Sequence, residues 1–123
     1  MMTREEIIEY CLTFPLAYED YPFAKTATDK ESTVMRHQEN KKTFAIIMIH
    51  DDKLYLNLKC DPLEADFLRQ SFKALVPGWH MNKEHWNSVI LDEFCDVPVE
   101  EIKRMIGNSY DLIKPRLRKS RIK

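Results

Sequence analysis

The stretch Pro77-Gly78-Trp79-His80-Met81-Asn82-Lys83-Glu84-His85-Trp86-Asn87 gathers two Trp, two His, one Lys and two Asn that no helix or strand period demands. Side chains of these types can hold a metal, move a proton, or donate to anions and base edges. Metal ligation fits poorly: His80 and His85 are five apart, so they miss the i, i+4 spacing of a helical ligand pair, and no Cys lies at ligand distance in sequence. Neither a metal nor a cofactor is expected. Nucleophilic catalysis needs an activated thiol or hydroxyl beside a base. Cys60 is the candidate, because it precedes the helix start Asp61-Pro62, where backbone dipoles lower the pKa of an exposed thiol; His80 or His85 would be its base. Yet the chain holds only two Gly and lacks an oxyanion loop, a phosphate cradle or a paired-carboxylate motif. An enzyme is therefore not expected.

A binding role uses the same block differently. Trp79 offers a stacking face, while His80, Asn82 and Lys83 can donate to phosphates or base edges, with His85 and Lys59 as further candidates. The plainer reading makes Trp79 and Trp86 packing anchors, with His80 and Asn87 satisfying loop backbone groups. Trp86 is expected to pack against the sheet and the last helix. For His80, Lys83 and His85 both readings stay open. A second feature is the C-terminus, where Lys114, Arg116, Arg118, Lys119, Arg121 and Lys123 crowd the last ten positions. Setting those six aside leaves 13 basic against 20 acidic residues, so residues 1–113 carry about −7 and the tail about +6. Such a tail attracts polyanions or merely solubilises, and an acidic body works against DNA.

At 123 residues and 44% hydrophobic content, one domain over 1–113 with a basic extension at 114–123 is expected. The longest apolar run, Phe44 to Ile49, is far short of the roughly 18 residues a membrane span needs. With no apolar core near the N-terminus, a cytoplasmic protein is expected. Cys11, Cys60 and Cys95 are odd in number and widely spaced, which fits reduced thiols. A monomer is expected.

Thr3 and Glu6 form a capping box before Ile7, Ile8, Cys11 and Leu12, predicting a helix from Arg4 to Phe14. Thr33–His37, Thr43–His50 and Lys53–Lys59 read as strands, the last burying Leu54, Leu56 and Leu58 on one face. Asp61, Pro62 and Glu64 start a second helix, to about Phe72. Pro77-Gly78 reads as a turn, and beyond the aromatic-His block Ser88–Leu91 reads as a strand entered from Trp86, with two strands in all between the second and third helices. Val99, Ile102, Met105, Ile106, Tyr110 and Ile113 then form the apolar stripe of the longest helix, which Pro115 ends. Tyr18–Phe23 is either a strand or an extended lead. Gly107, in mid-helix, suggests that something approaches its backbone closely.

Phe14-Pro15, Glu19 and Pro22-Phe23, the Lys59-Cys60-Asp61-Pro62 step, the block from Pro77 to Asn87, and Ser109-Tyr110 together resemble the MmcQ/YjbR family over nearly the whole chain. The resemblance implies an α+β two-layer sandwich, helices packed on an antiparallel sheet, matching the order α-β-β-β-α-β-β-α. It also implies a small DNA-binding module of the bacterial cytoplasm; the alternative, read from the loop itself, is a protein or small-ligand adaptor using residues 79–86 with no nucleic-acid role. Two positions depart from the family pattern: Leu16 stands where a small residue is usual, and Glu84 where an Arg is common. Glu84 weakens anion binding at the block.

Overall fold

The structure, a computed structural model, describes residues 2–24, 32–78 and 81–116; Trp79, His80 and the tail residues Arg118, Lys119, Arg121 and Lys123 lie outside them. Helix α1 (Arg4–Cys11) starts at the expected box: Glu6 N–H donates to Thr3 Oγ1 (3.2 Å) and Thr3 N–H to the Glu6 carboxylate (2.8 Å). It stops at Cys11 rather than Phe14, because the next turns close through i→i+3 bonds, Thr13 N–H to Tyr10 O and Phe14 N–H to Cys11 O.

Among the described residues six strands follow with two more helices: β1 (Ala17–Asp20), β2 (Ser32–His37), β3 (Thr43–His50), β4 (Lys53–Lys59), α2 (Pro62–Ser71), β5 (Leu75–Pro77), β6 (Trp86–Leu91) and α3 (Val99–Ile113). The sheet is antiparallel with order β1-β2-β3-β4-β6-β5. This is the expected α+β sandwich with one strand more than the expected order, since Ala17–Asp20 pairs with β2 as a four-residue edge. A segment that short offers too few residues for alternation to declare itself.

Local chemistry fixes the hairpins. Asp51 and Asp52 both have positive φ (50° and 60°), the backbone that a two-residue turn between right-twisted strands requires. Between Met35 and Arg36 the β2–β3 register skips Phe44, a bulge that leaves Phe44 and Ala45 both fully buried. Leu16 has φ 59°, a left-handed conformation costly for a branched side chain, which gives a physical reason for a small residue to be usual there.

One face of the sheet carries the core. Met35, Ala45, Ile47, Leu56, Leu58, Leu75, Val89 and Leu91 form one cluster with Ile7, Ile8 and Cys11 of α1, Leu68 of α2, and Ile102, Met105, Ile106, Tyr110 and Ile113 of α3. The opposite face carries Tyr18, Val34, Arg36, Ile46, Met48, Tyr55, Asn57, Lys59, Trp86, Ser88 and Ile90, by alternation and register, and no described helix packs there. Leu54, Leu56 and Leu58 do share the core face. Asn57 is nevertheless fully buried on the other side, where its amide donates to Ile46 O (3.2 Å) and its carbonyl accepts from the Ser88 hydroxyl. Trp86 corrects its expectation: it is half-buried on the face turned away from α3.

Candidate functional site

All the strands present one set of ends together. The register pairs Ala17 with His37, Arg36 with Thr43, Ala45 with Leu58, Lys59 with Trp86, and Pro77 with Asn87. The β2–β3 turn with Lys41 and Lys42, the end of β4 at Lys59, and the loop with Asn82, Lys83 and His85 therefore stand at the same end of the sheet. Asn40 Nδ2 donates to Ile113 O (2.7 Å), which ties the C-terminus of α3, and with it Lys114 and Arg116, to that end. Positions far apart in sequence are thus gathered into one cationic pole. Glu39, Asp61, Glu64, Glu84 and Asp111 share it, Asp111 pairing with Lys114 (3.0 Å) and Glu64 with Arg104 (2.9 Å).

The opposite end is acidic. There the turn holds Asp51 and Asp52, β6 runs out into Asp92, Glu93 and Asp96, and α3 opens with Glu100 and Glu101. Helix α1 begins at the same end, with Glu5 and Glu6 in its first turn and Arg4 donating to Thr33 near the start of β2. Arg4, Lys53, Lys73 and Arg104 offset part of this charge, Lys53 through Asp92 (3.4 Å), Arg4 through Glu5 (3.9 Å) and Arg104 through Glu101. The acid excess of residues 1–113 is therefore not spread evenly over the body: a large share sits at the end farthest from Lys59.

Within the pole, the loop is held from below by a residue that the sequence reading did not single out. Arg69 of α2 donates through Nε to Asn87 Oδ1 (2.6 Å) and through Nη2 to Lys83 O and Trp86 O, the last at 3.2 Å. Asn87 passes the link back to α2 by donating to Ala65 O (3.3 Å). Only the position of Arg69, in the last turn of an amphipathic helix directly after Leu68, hinted at a structural role. Gly78 closes the hairpin by donating to Trp86 O (2.8 Å), and a Cβ there would lie 2.7 Å from Trp86 Cβ, so no other residue fits without displacement.

Several candidates turn out to have structural partners. Asn82 Oδ1 accepts from Glu84 N–H (2.9 Å), a local turn bond, and Lys83 Nζ donates to Gly78 O (3.3 Å). His85 takes part through its backbone, accepting from Cys60 N–H (2.7 Å), while its side chain is exposed. Lys59 is half-exposed on the helix-free face opposite Trp86. Trp79 and His80 lie outside the described residues, as do four of the six tail cations.

Cys60 is not activated. Burial is the largest effect on its thiol, and with the nearby charges of Glu64 and Asp61 it pushes the pKa up to about 11. The nearby Arg104 and Arg69 lower it only in part. Beside it a cleft of about 280 Å³ is lined by Cys60, Asp61, Glu64, Asn108, Asp111 and Leu112, and another of about 550 Å³ opens between α1 and α3. Neither is lined by residues 81–86.

The remaining motif residues close the sheet and its helices. Ser109 Oγ donates to Phe44 O (2.6 Å) and accepts from Lys59 N–H (2.9 Å), just past the last β3–β4 pair. Tyr110 stacks on Phe14 (4.8 Å between centroids) and donates its hydroxyl to Pro15 O (2.7 Å).

A single antiparallel sheet with helices on one face, and a charged pole at its strand ends, defines a small α+β domain. The chain belongs to the YjbR family, whose model matches residues 12–112. It is 36% identical to the uncharacterized protein YyaQ of Bacillus subtilis (strain 168), over 93% of this chain and 100% of that one. The uncharacterized protein YjbR of Escherichia coli (strain K12) is 28% identical over 89% of this chain and 85% of its own. Among solved structures, a Deinococcus radiodurans protein superposes with TM-score 0.79 at 31% identity, covering 98% of this chain and 85% of that one. A Pseudomonas syringae protein does so with TM-score 0.77 at 28% identity, covering 92% and 100%.

Proposed function

We propose that this protein is a binding module for nucleic acid, engaging the phosphate backbone with the cationic strand-end pole. The observation that carries the reading is the separation of charge along the strands: Lys41, Lys42, Lys59, Lys83, Lys114 and Arg116 at one end, and most of the unbalanced carboxylates at the other. A net charge of −1 hides a dipolar molecule. A polyanion approaching such a molecule is attracted by one end and repelled by the other, so orientation is set before contact. Each phosphate neutralised then releases counterions and makes affinity salt-dependent, with a log–log slope of about −0.9 per contact.

Charge reversal at the two ends separates this reading from its rivals. Lys42→Glu with Lys59→Glu should abolish binding of a short DNA duplex at low salt, whereas Lys73→Glu at the acidic end should leave it unchanged. Cutting the chain after Ile113 should flatten the salt slope without removing it, because Lys41, Lys42, Lys59 and Lys83 remain. Binding that ignores the pole variants, or that is absent from the intact chain at low salt, refutes the proposal and favours an adaptor role for loop 79–86.

A further inference from the structure

We propose that the helix-free face of the sheet binds an unpaired nucleic-acid strand, with bases stacking on Tyr18 and Trp86 and phosphates meeting Lys41 and Lys59. The inference rests on the polyanion reading above and names the form of nucleic acid it takes. The register sets these side chains in one row across the sheet. Tyr18 of β1 pairs with Arg36 of β2, Arg36 with Thr43 of β3, and Lys59 of β4 with Trp86 of β6. Lys59 lies one residue past the last β3–β4 pair, Ala45 with Leu58, which puts it beside the start of β3. An aromatic ring thus stands at each end of a row with cations and a hydroxyl between them. Four interstrand spacings make it roughly 19 Å long.

The row lies at the strand ends of the face where no described helix packs, and the residues next inward on that face, Val34, Asn57 and Ser88, are buried, so a strand lies along the row rather than over the middle of the sheet. Tyr18, Arg36, Thr43, Lys59 and Trp86 are all partly exposed. Arg36 is already engaged, donating to Asp20 (2.8 Å), Lys41 O (3.1 Å) and Thr43 Oγ1 (3.0 Å), and so fixes the row rather than reaching outward. Lys41 Nζ lies over the Tyr18 ring, 5.3 Å from its centroid, so a base stacking on that face takes the place of the ammonium and leaves it free to meet a phosphate. Cations alone attract any polyanion. Rings add affinity only for bases whose faces are free, because a duplex stacks its bases on one another. The combination therefore selects the single strand.

Fluorescence anisotropy with a labelled oligothymidine, and with a duplex of equal length, tests this on the full chain at two salt concentrations. The expected result is tighter binding of the single strand. Tyr18→Leu and Trp86→Leu should each weaken it roughly tenfold, with an unchanged salt slope because no cation is lost. Trp86→Phe, which keeps a ring, should retain most of the affinity, and thermal melting identifies any variant that has lost the fold; Tyr18, on the short edge strand, then carries the test alone. Equal affinity for both forms, with folded Leu variants unaffected, overturns this inference while leaving the polyanion reading standing. Failure of both nucleic acids to bind at low salt overturns both. A solution dimer that the Leu variants dissociate shows the face to be covered by a second copy and also overturns it.

Discussion

A thiol at the start of a helix gains from backbone dipoles only while water also reaches it, and at Cys60 burial, with Glu64 and Asp61 close by, raises the thiol's pKa. With its pKa near 11, alkylation of Cys60 in the folded protein should be slow at pH 7 and still rising at pH 9. Mass-spectrometric labelling rates read this directly, and a plateau reached by pH 8 would contradict it. Cys11, buried and pushed up to about 12, adds a stability term of defined sign. Both thiols stay protonated in the fold above their ordinary 9.0, so their contribution is complete below pH 9 and is lost as pH rises toward 11–12. Ser109 illustrates a different residue-level economy: one hydroxyl serves two backbone groups where the β3–β4 ladder stops. Ser109→Ala leaves the buried Phe44 carbonyl and the Lys59 amide without that partner. The expected cost is about 1–3 kcal/mol in urea unfolding, and a change near zero would mean that water replaces the hydroxyl.

Among the elements, α3 tests whether mid-helix Gly107 is there for space. The nearest atom to a Cβ built on it is Phe14 Cζ at 3.7 Å, an ordinary contact, so the close approach suggested by the sequence is not required. Gly107→Ala should stabilise the protein by about 1 kcal/mol through helix propensity, read as a higher urea midpoint, and destabilisation would show that Phe14 cannot accommodate the methyl. The elements legible in the sequence were those with long periods or chemical punctuation. The Thr3 box, the Asp61-Pro62 start and the stripe from Val99 to Ile113 all mark real helices, and β2, β3 and β4 fall where their β-rich runs lie. Strand β1 stayed ambiguous because four edge residues carry no clear period, and the Phe44 bulge was invisible because it shows only in pairing. The site was legible as a list and not as a place. Lys59, Lys83 and His85 were recognised by type, but their meeting with Lys41, Lys42 and Lys114 depends on strand register and on the Asn40–Ile113 bond. Arg69 was missed for the same reason, since its partners lie fourteen to eighteen residues away.

For the whole molecule, the decisive property is the direction of its charge rather than its sum. Sequence composition made the folded body acidic and so unfit for a polyanion. The antiparallel sheet redistributes that charge, because it sorts turns by parity: β2–β3 and β5–β6 connect at one end, β3–β4 at the other, and the body's bases gather at the first end and many of its acids at the second. Lys114 and Arg116 join the cationic end because α3 finishes there, against Asn40. The most direct test of this account is an NMR titration of the labelled full chain with a short DNA oligonucleotide at low salt, following backbone amides. Shifts concentrated at residues 36–43, 59–60, 81–87 and 114–116, and weakened by added salt, are the expected result. Shifts centred on Asp51, Asp52 and residues 92–96, or no shifts at all, would contradict it.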